Sequence, residues 1–384
     1  MIDVLQQFFI IALAAACCNA QSYTKQGDFI LGLVLPLHDT NTSALLPYDL
    51  INGCGDLNAE QTVTLSYFRR RIDEINNNGS ILPGFNLGYS VLDTCNLPNL
   101  ALAYASVWTD EKVRQNSDSP NWVTMALGGY NSRVSGPLTT YLQLYDIPML
   151  DFAATSSDLS NKVRYPLYLR TVPSDLYQAQ ALVDLAKQMG LACVHLVYSE
   201  GVYGEIGGDN LRQRLAQANI CLASHQKAPT IIRQDATEKF KSIVDSISAT
   251  PSASVIMCFC EDTTITSLLS ALQHKRYEGF ESRFTIFASD YWGKSLRVQG
   301  LEDVADSAIS LSIGAPAGGS DRVNQWLEPE STWFGEQVNT IYMQDPWYRR
   351  YLEERFHCTF DGLQGQLPCN RMLVFIFGSI STLL

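Results

Sequence analysis

Hydroxyl side chains stand at two points where an apolar segment of the chain ends. Ser132 comes just after the two-glycine turn Gly128-Gly129, and Thr155 opens the polar turn that follows the short apolar run 148–152. In an open α/β sheet, ligands bind beyond the carboxyl ends of the strands. Hydroxyls and free backbone N–H groups at a helix start suit a carboxylate or a phosphate. The pattern therefore predicts an anion-binding site that uses Ser132 and Thr155.

Strands and helices must position these hydroxyls, and the apolar pattern of the chain alternates between the two. Continuous or alternating apolar runs predict strands near 29–35, 87–91, 122–127, 148–152, 193–197, 253–259 and 284–288. Apolar residues at helical spacing predict helices near 65–75, 100–108, 134–145, 179–189, 240–247 and 265–272, with one more that ends at Leu215. This alternation predicts an α/β fold with parallel sheets flanked by helices.

Two runs of strands and helices are joined at the segment RTVPSD, which predicts two lobes with a hinge near Pro173. We expect residues 28–173 to form the first part of lobe 1 and residues 174–306 to form lobe 2. Residues 307–371 are expected to return to lobe 1 as an incomplete segment. The cleft between the lobes is the natural place for a small ligand.

Length and charge limit the classes of partner. The chain has 384 residues, enough for two medium-sized domains. Its formal net charge of −12 argues against nucleic acid or an anionic membrane surface as a partner. The sequence has no apolar run of the ~20 residues that a membrane-spanning helix needs. These features favour two packed domains and leave the ligand open.

The N-terminus has the pattern of a secretory signal peptide over residues 1–20. Residues 8–16 form an apolar core of the usual length, and small residues precede the expected cleavage point. The first residues include Asp3 and no basic residue, so a signal anchor is the alternative, although the apolar run is short for one. Secretion suits the ten cysteines. It also allows N-glycosylation at the sequons that begin at Asn41 and Asn78.

Several short motifs between Asp28 and Cys358 form a specific set: YLQLYDIPML, ATSSDLSNK, LRTVPSD, SEGVYGE, CFCED, ASDYW and DPWYRRYLEERFHC. Together they resemble the extracellular Venus-flytrap module of metabotropic glutamate receptors and of the related calcium-sensing receptor, which are class C G-protein-coupled receptors. The resemblance implies a two-lobed fold of the periplasmic-binding-protein-like type I. It also implies that an α-amino acid binds between the lobes, that their closure transmits a signal, and that a G protein is reached through a transmembrane region absent from this chain.

The resemblance further implies which side chains hold the amino acid. The ligand carboxylate is held by Ser132 and by the backbone and hydroxyl around Thr155. The ligand ammonium is held by Asp175, Tyr203 and Asp290, since carboxylates and aromatic faces both stabilise a cation. The five residues would thus grip the two charged ends of one zwitterion.

Each of these residues also has a purely structural interpretation. Ser132 alone fits a helix cap, and Asp175 with Gln178 fits a capping box. Tyr203 and Asp290 fit packing and loop roles. Only their joint occurrence in matching motifs favours a binding site over these alternatives.

The chain departs from the family pattern at positions that bear on the ligand. Thr64 stands where glutamate receptors place an arginine that grips the ligand side chain, and the lysine that shares this task lies beyond the end of the chain. A buried carboxylate without a cation is unfavourable, so we expect an amino acid other than glutamate. Ala153 replaces a further ligand-site serine and keeps only backbone contacts. The intersubunit cysteine is missing before Trp122, so any homodimer is expected to be non-covalent.

The resemblance implies three disulfide bonds: Cys54–Cys95, Cys258–Cys260 and Cys358–Cys369. Cys221 matches a family cysteine that bonds to a downstream cysteine-rich domain, which this chain lacks, so Cys221 is expected to have no partner. Cys193 has no counterpart in the family and is interpreted as a buried free thiol. Spacing by itself leaves the connectivity open.

The tail formed by residues 372–384 is apolar, short and unlike the family. A truncated or mis-spliced product is the favoured interpretation. A cleaved lipid-anchor signal is the second, although a clear attachment site and spacer are missing. A core strand is the third.

Three functions compete. The first is a receptor module at the cell surface. The second is a secreted binder or decoy without a signalling part. The third, a secreted hydrolase with Ser132 as nucleophile, is disfavoured, because the chain has no catalytic elbow, phosphate-binding loop or zinc-protease motif and its five histidines are scattered. We expect no enzyme activity, no cofactor and no metal site.

Overall fold

The structure is a computed structural model. It describes residues 24–40, 53–109, 123–230, 236–250, 253–279, 284–290, 300–306 and 308–313, together with Glu353 and residues 358–359 and 367–368. The predicted signal peptide, the sequon at Asn41, Cys369 and the apolar tail lie outside the described residues.

The described residues alternate between strands and helices, as the apolar pattern predicts. The strands are β1 Thr24–Lys25, β2 Phe29–Leu35, β3 His38–Thr40, β4 Cys54–Leu57, β5 Leu87–Asp93, β6 Val123–Gly128, β7 Met149–Asp151, β8 Tyr168–Arg170, β9 Cys193–Ser199, β10 Cys221–Ala228, β11 Val255–Phe259, β12 Thr285–Ala288, β13 Ile309–Ser310, β14 Cys358–Thr359 and β15 Leu367–Pro368. The helices are α1 Ala59–Asn77, α2 Pro98–Thr109, α3 Ser132–Leu142, α4 Asp175–Gln188, α5 Val202–Gln217, α6 Ala236–Ser248, α7 Asp262–Tyr277 and α8 Glu302–Ala305. Short 3₁₀ turns cover Gln143–Tyr145 and Ser157–Ser160.

The first lobe is built on a six-stranded sheet in the order β1-β5-β2-β6-β7-β8. β1 pairs antiparallel with β5, and the other described pairings in this sheet are parallel. Successive residues of β2 point to opposite faces of the sheet. Leu33 and Leu35 therefore pack with Leu65 of α1, whereas Val34 belongs to the core formed with α2 and α3.

Trp108 of α2 shows how closely the helices approach this sheet. Its side chain is buried, and its Nε1 donates a hydrogen bond to Ser90 Oγ at 3.0 Å. The indole ring lies directly over Gly32 of β2, where a Cβ atom would overlap the ring. The absence of a side chain at Gly32 thus allows a large aromatic residue to fill the core.

The second lobe is built on a five-stranded, parallel sheet in the order β10-β9-β11-β12-β13. α4 and α5 pack on one face and α6 and α7 pack on the other. The predicted α/β class with parallel sheets and flanking helices is confirmed. Ile309–Ser310 pairs with β12, so the second sheet extends beyond residue 306, where the sequence places the end of this lobe.

The structure pairs Cys54 with Cys95 and Cys258 with Cys260, as the family resemblance implies. Cys358 opens β14, but its expected partner Cys369 lies outside the described residues.

The expectation that Cys193 and Cys221 are unpaired is wrong, because the structure joins them in a disulfide bond. Cys193 opens β9 and Cys221 opens β10, and the two residues are direct partners in the parallel register. Sequence reasoning misses this bond because β10 has a mixed polar sequence and lies at the edge of the sheet, so no strand is predicted there.

Asn78 follows the last residue of α1 and is exposed. Its Oδ1 accepts hydrogen bonds from the Ser80 hydroxyl at 2.7 Å and the Ser80 N–H at 3.2 Å. No described helix combines the length and the apolar character that crossing a bilayer requires.

Candidate functional site

Ser132 is held at the amino-terminal end of α3 by a turn that requires glycine. Gly128 and Gly129 have φ values of 110° and 114°, which residues with a side chain rarely adopt. The cap of α3 is Asn131, whose side chain accepts a hydrogen bond from the Val134 N–H at 3.0 Å. The capping interpretation of Ser132 is therefore wrong, and its hydroxyl is available for another contact.

The hydroxyl of Ser132 connects this turn to the second one. Ser132 is buried, and its Oγ accepts a hydrogen bond from the backbone N–H of Ser156 at 3.1 Å. Thr155, the preceding residue, is also buried. The two hydroxyl positions that the sequence predicts to be close together are thus joined through one backbone contact.

Asp151, at the end of β7, organises both turns. Its carboxylate is buried and accepts hydrogen bonds from the Ser135 hydroxyl at 2.5 Å and from the N–H groups of Ala153 and Ala154 at 2.9 and 3.0 Å. Burial raises the pKa of Asp151, and these hydrogen bonds oppose the rise. From the sequence, 148–152 is predicted only as a buried strand. An acidic residue within such an apolar run nevertheless indicates that its carboxylate needs hydrogen-bond donors nearby.

Ala153 lies in this second turn and is half-buried. Its N–H group is one of the two that donate to Asp151, so this group serves the turn. The turn is fixed further by Arg170, which donates to the Ser156 carbonyl at 2.8 Å. Ser156 is fully buried, and its Oγ has no hydrogen-bond partner among the described residues.

Asp175 lies opposite, at the start of α4 in the second lobe. Its backbone N–H donates to the Thr155 carbonyl at 2.9 Å, which brings the two residues together where the chain crosses between lobes. Ser174 caps α4, so Asp175 is not the cap. Gln178 Nε2 donates to Asp175 Oδ1 at 2.9 Å. Asp175 Oδ2 is buried and, within the described part of the chain, has no hydrogen-bond partner.

The electrostatics of Asp175 are unusual for a carboxylate. Burial, reinforced by the nearby charge of Asp290, raises its pKa to about 7. The Thr155 hydroxyl, Arg170 and Gln178 pull the pKa in the opposite direction without cancelling the rise. A cation placed beside Oδ2 would stabilise the charged form.

Tyr203 and Asp290 complete the acidic side of the cleft. The Tyr203 hydroxyl donates to Asp290 Oδ1 at 2.9 Å, and the Asp290 N–H donates to Gln178 Oε1 at 3.0 Å. Burial raises the pKa of Asp290 and also that of Tyr203, which the charges of Asp290 and Asp175 raise further. The side-chain amide of Gln178 thus contacts both Asp175 and Asp290. The capping-box pattern in the sequence does not reveal this role.

The structure therefore brings the five predicted side chains to one region. Hydroxyls and backbone N–H groups of the first lobe form one end, made by Ser132 and Thr155. The buried carboxylate of Asp175, the half-buried carboxylate of Asp290 and the buried Tyr203, all of the second lobe, form the other end. Such a pair of ends can hold a ligand that carries an anion and a cation on neighbouring atoms.

Comparisons with known proteins identify the family of this chain. The family model described as "Receptor family ligand binding region" matches residues 68–356. The "Metabotropic glutamate receptor" of Drosophila melanogaster is 30% identical over 367 residues, which cover 90% of this chain and 35% of the relative. The chain thus spans about a third of that relative's length. The chain belongs to the family of receptor ligand-binding regions, and within it is similar to metabotropic glutamate receptors.

Proposed function

We propose that this chain is the extracellular part of a cell-surface receptor and binds an α-amino acid other than glutamate between its two lobes. The observation that carries the proposal is the buried Asp175 Oδ2, which faces no hydrogen-bond partner among the described residues and lies beside Asp290 and Tyr203. A buried carboxylate oxygen in this state is unfavourable unless a ligand supplies the donor.

The ammonium group of an amino acid fits this requirement. It carries a positive charge and three donors, so it can pair with Asp175 and with Asp290 at once. Because the pKa of Asp175 is about 7 before binding, the ammonium would displace a proton from part of the molecules at neutral pH. Binding is then coupled to proton release.

The ligand carboxylate is assigned to the hydroxyl side of the cleft. Thr155 and Ser156 lie in one turn, and the Ser156 hydroxyl has no partner within the described residues. Ser132 and the N-terminus of α3, whose first turn contains no acidic residue, complete this set of donors. Because hydrogen-bond donors lie at one end of the site and carboxylates at the other, the zwitterion would bind in one orientation.

The side chain of the amino acid is defined less closely than its ammonium and carboxylate groups. Thr64 on α1 replaces the arginine of glutamate receptors, which supports a ligand without an acidic side chain.

The lobes would close on the ligand and transmit the signal to a transmembrane part and a G protein. A non-covalent homodimer, secretion and glycosylation at the exposed Asn78 belong to the same proposal. The alternative is a secreted amino-acid-binding decoy.

The test is calorimetric binding to the full secreted chain after a thermal-shift screen of the common L-amino acids. Asp175→Asn and Thr155→Ala should each weaken the affinity by about tenfold or more, since each removes a hydrogen bond to a charged group. Asp184→Asn, on the outer part of the same helix, is the matched control and should bind normally. Unchanged affinity in both site variants would refute the pocket. A transcript that continues into seven membrane-spanning helices would favour the receptor over the decoy.

A further inference from the structure

Among the described residues, side-chain contacts cross from one lobe to the other outside the five-residue site at Arg133 and at Asn210. Arg133 Nη2 of α3 lies 3.8 Å from Glu261 Oε2 in the second lobe. Asn210 Nδ2 of α5 donates a hydrogen bond to Ser157 Oγ in the first lobe at 2.9 Å. The first contact joins opposite charges, and the second joins neutral groups, so their contributions to lobe closure should differ.

Arg133 is fixed on the first-lobe side before it reaches the cleft. Its side chain is 18% exposed, and its guanidinium donates to the Asn96 carbonyl at 3.1 Å. Asn96 directly follows Cys95, which the disulfide to Cys54 holds in place. The Arg133 Nε atom is buried without a hydrogen-bond partner in the described part of the chain. The charged group is therefore positioned by its own lobe and only partly satisfied there.

Glu261 is fixed in a comparable way on the second-lobe side. It directly follows Cys260, whose disulfide to Cys258 stiffens the end of β11. Its backbone N–H donates to Ser199 Oγ at 3.3 Å. Glu261 stands at the cap position of α7, yet its side chain makes no capping hydrogen bond to the described residues, and it is only 3% exposed. Its carboxylate instead lies toward Arg133.

Arg133 and Glu261 attract each other only when the two lobes are together. A carboxylate with so little exposure needs a cation nearby, because loss of hydration is not otherwise offset. When the lobes separate, both groups regain water and the attraction fades. A contact present in one of two conformations shifts the equilibrium toward that conformation.

We propose that Arg133 and Glu261 form an interlobe latch that favours the closed cleft whether or not a ligand is bound. The latch sets how much of the receptor is closed before the amino acid arrives, and thereby its apparent affinity. This inference rests on the proposed lobe closure but not on the identity of the ligand.

The test measures lobe separation in the ligand-free full chain by single-molecule fluorescence transfer. Dyes are attached through non-natural amino acids at Val163 of the first lobe, which is 97% exposed, and at Tyr277 of the second lobe, which is 75% exposed. Arg133→Met should lower the ratio of closed to open molecules by about tenfold or more, because the closed form then loses the attraction between the Arg133 guanidinium and the Glu261 carboxylate. Adding Glu261→Gln to that variant should restore much of the closed population, so that the two changes are strongly non-additive.

Two control variants separate the latch from general damage. Asn210→Ala removes the neutral contact across the cleft and should change the ratio by no more than about threefold. Glu200→Gln removes an exposed ion pair with Lys239 inside the second lobe and should change nothing. Equal closed fractions in the parent and Arg133→Met, a double variant that merely adds the two single effects, or one unchanging distance in every variant would each overturn the latch. Because no amino acid is present, failure here is distinct from failure of the proposed ligand.

Discussion

Each side of the cleft contains a buried aspartate. The two aspartates differ in the hydrogen bonds that their carboxylates accept. Asp151 in the first lobe accepts three hydrogen bonds from its own turn and from α3. Asp175 in the second lobe accepts a hydrogen bond from Gln178 and lies near the Thr155 hydroxyl, but its Oδ2 has no hydrogen-bond partner among the described residues. Both side chains are buried, and burial raises the pKa of both.

The difference separates an acid that serves the fold from one that we propose serves the ligand. A carboxylate whose donors are supplied internally stabilises the structure around it. One whose donors are missing is unfavourable for stability, and such residues concentrate at functional sites. The first-lobe side is therefore completed during folding, whereas under the proposed function the second-lobe side is completed by the ligand.

Asp151→Ala gives the largest expected change in stability. It leaves the Ser135 hydroxyl and the N–H groups of Ala153 and Ala154 unsatisfied, and we expect the free energy of unfolding to fall by about 3 kcal/mol or more. Urea denaturation measures this loss, and Ser135→Ala, which removes one donor, should lose less. A stability equal to that of the parent chain would show that Asp151 does not organise the turn.

Asp175→Asn should behave in the opposite way. The neutral amide removes a buried charge whose Oδ2 has no hydrogen-bond partner among the described residues, so we expect the free energy of unfolding to stay the same or rise by about 1 kcal/mol, even though binding is weakened. The same denaturation assay at pH 7.5 checks it. A large destabilisation would place Asp175 with Asp151 as a structural acid and remove the contrast between the two sides.

The pH dependence of Asp175 provides a third test. Its pKa in the folded chain is about 7 and its ordinary value is 3.8, so the folded state holds the extra proton between these values. This group's contribution to stability therefore rises as the pH falls from about 7 toward 4. Ligand affinity should change in the reverse direction and weaken by up to about tenfold per pH unit below 7, because the bound ammonium requires the ionised form.

Calorimetry in two buffers with different ionisation enthalpies would detect the released proton. Near pH 6.5 we expect a fraction of a proton released per ligand bound in the parent chain and none from this source in Asp175→Asn. A flat affinity between pH 5.5 and pH 7.5 would contradict the assignment of Asp175 to the ligand ammonium.

Ser156→Ala should give the smallest effect. The Ser156 hydroxyl is buried without a partner among the described residues, so its removal should leave stability within about 0.5 kcal/mol of the parent. If the hydroxyl donates to the ligand carboxylate, affinity should fall by about threefold to tenfold. Calorimetric titration of the Ser156→Ala variant measures this change in affinity. An unchanged affinity would leave only Ser132 and Thr155 to hold the ligand carboxylate.

Much of the fold is predictable because its information is local. The apolar runs at β2, β5, β9 and β11 and the helical periodicities between them are visible in the sequence, since buried parallel strands and amphipathic helices impose those patterns. The family motifs also indicate the five residues that the structure brings together. Local patterns fail for edge strands such as the short β8 and the longer β10, which bury little and carry polar residues.

The sequence by itself thus determined the α/β class, the receptor family and the candidate residues of both sides of the cleft. Only the tertiary structure decided the Cys193–Cys221 bond, the hydrogen bonds of Asp151, the bridging role of Gln178 and the Arg133–Glu261 pair. The physical reason is that each of these depends on which groups become neighbours after burial. A donor, an acceptor or a charge has the same letter in the sequence whether or not folding supplies its partner.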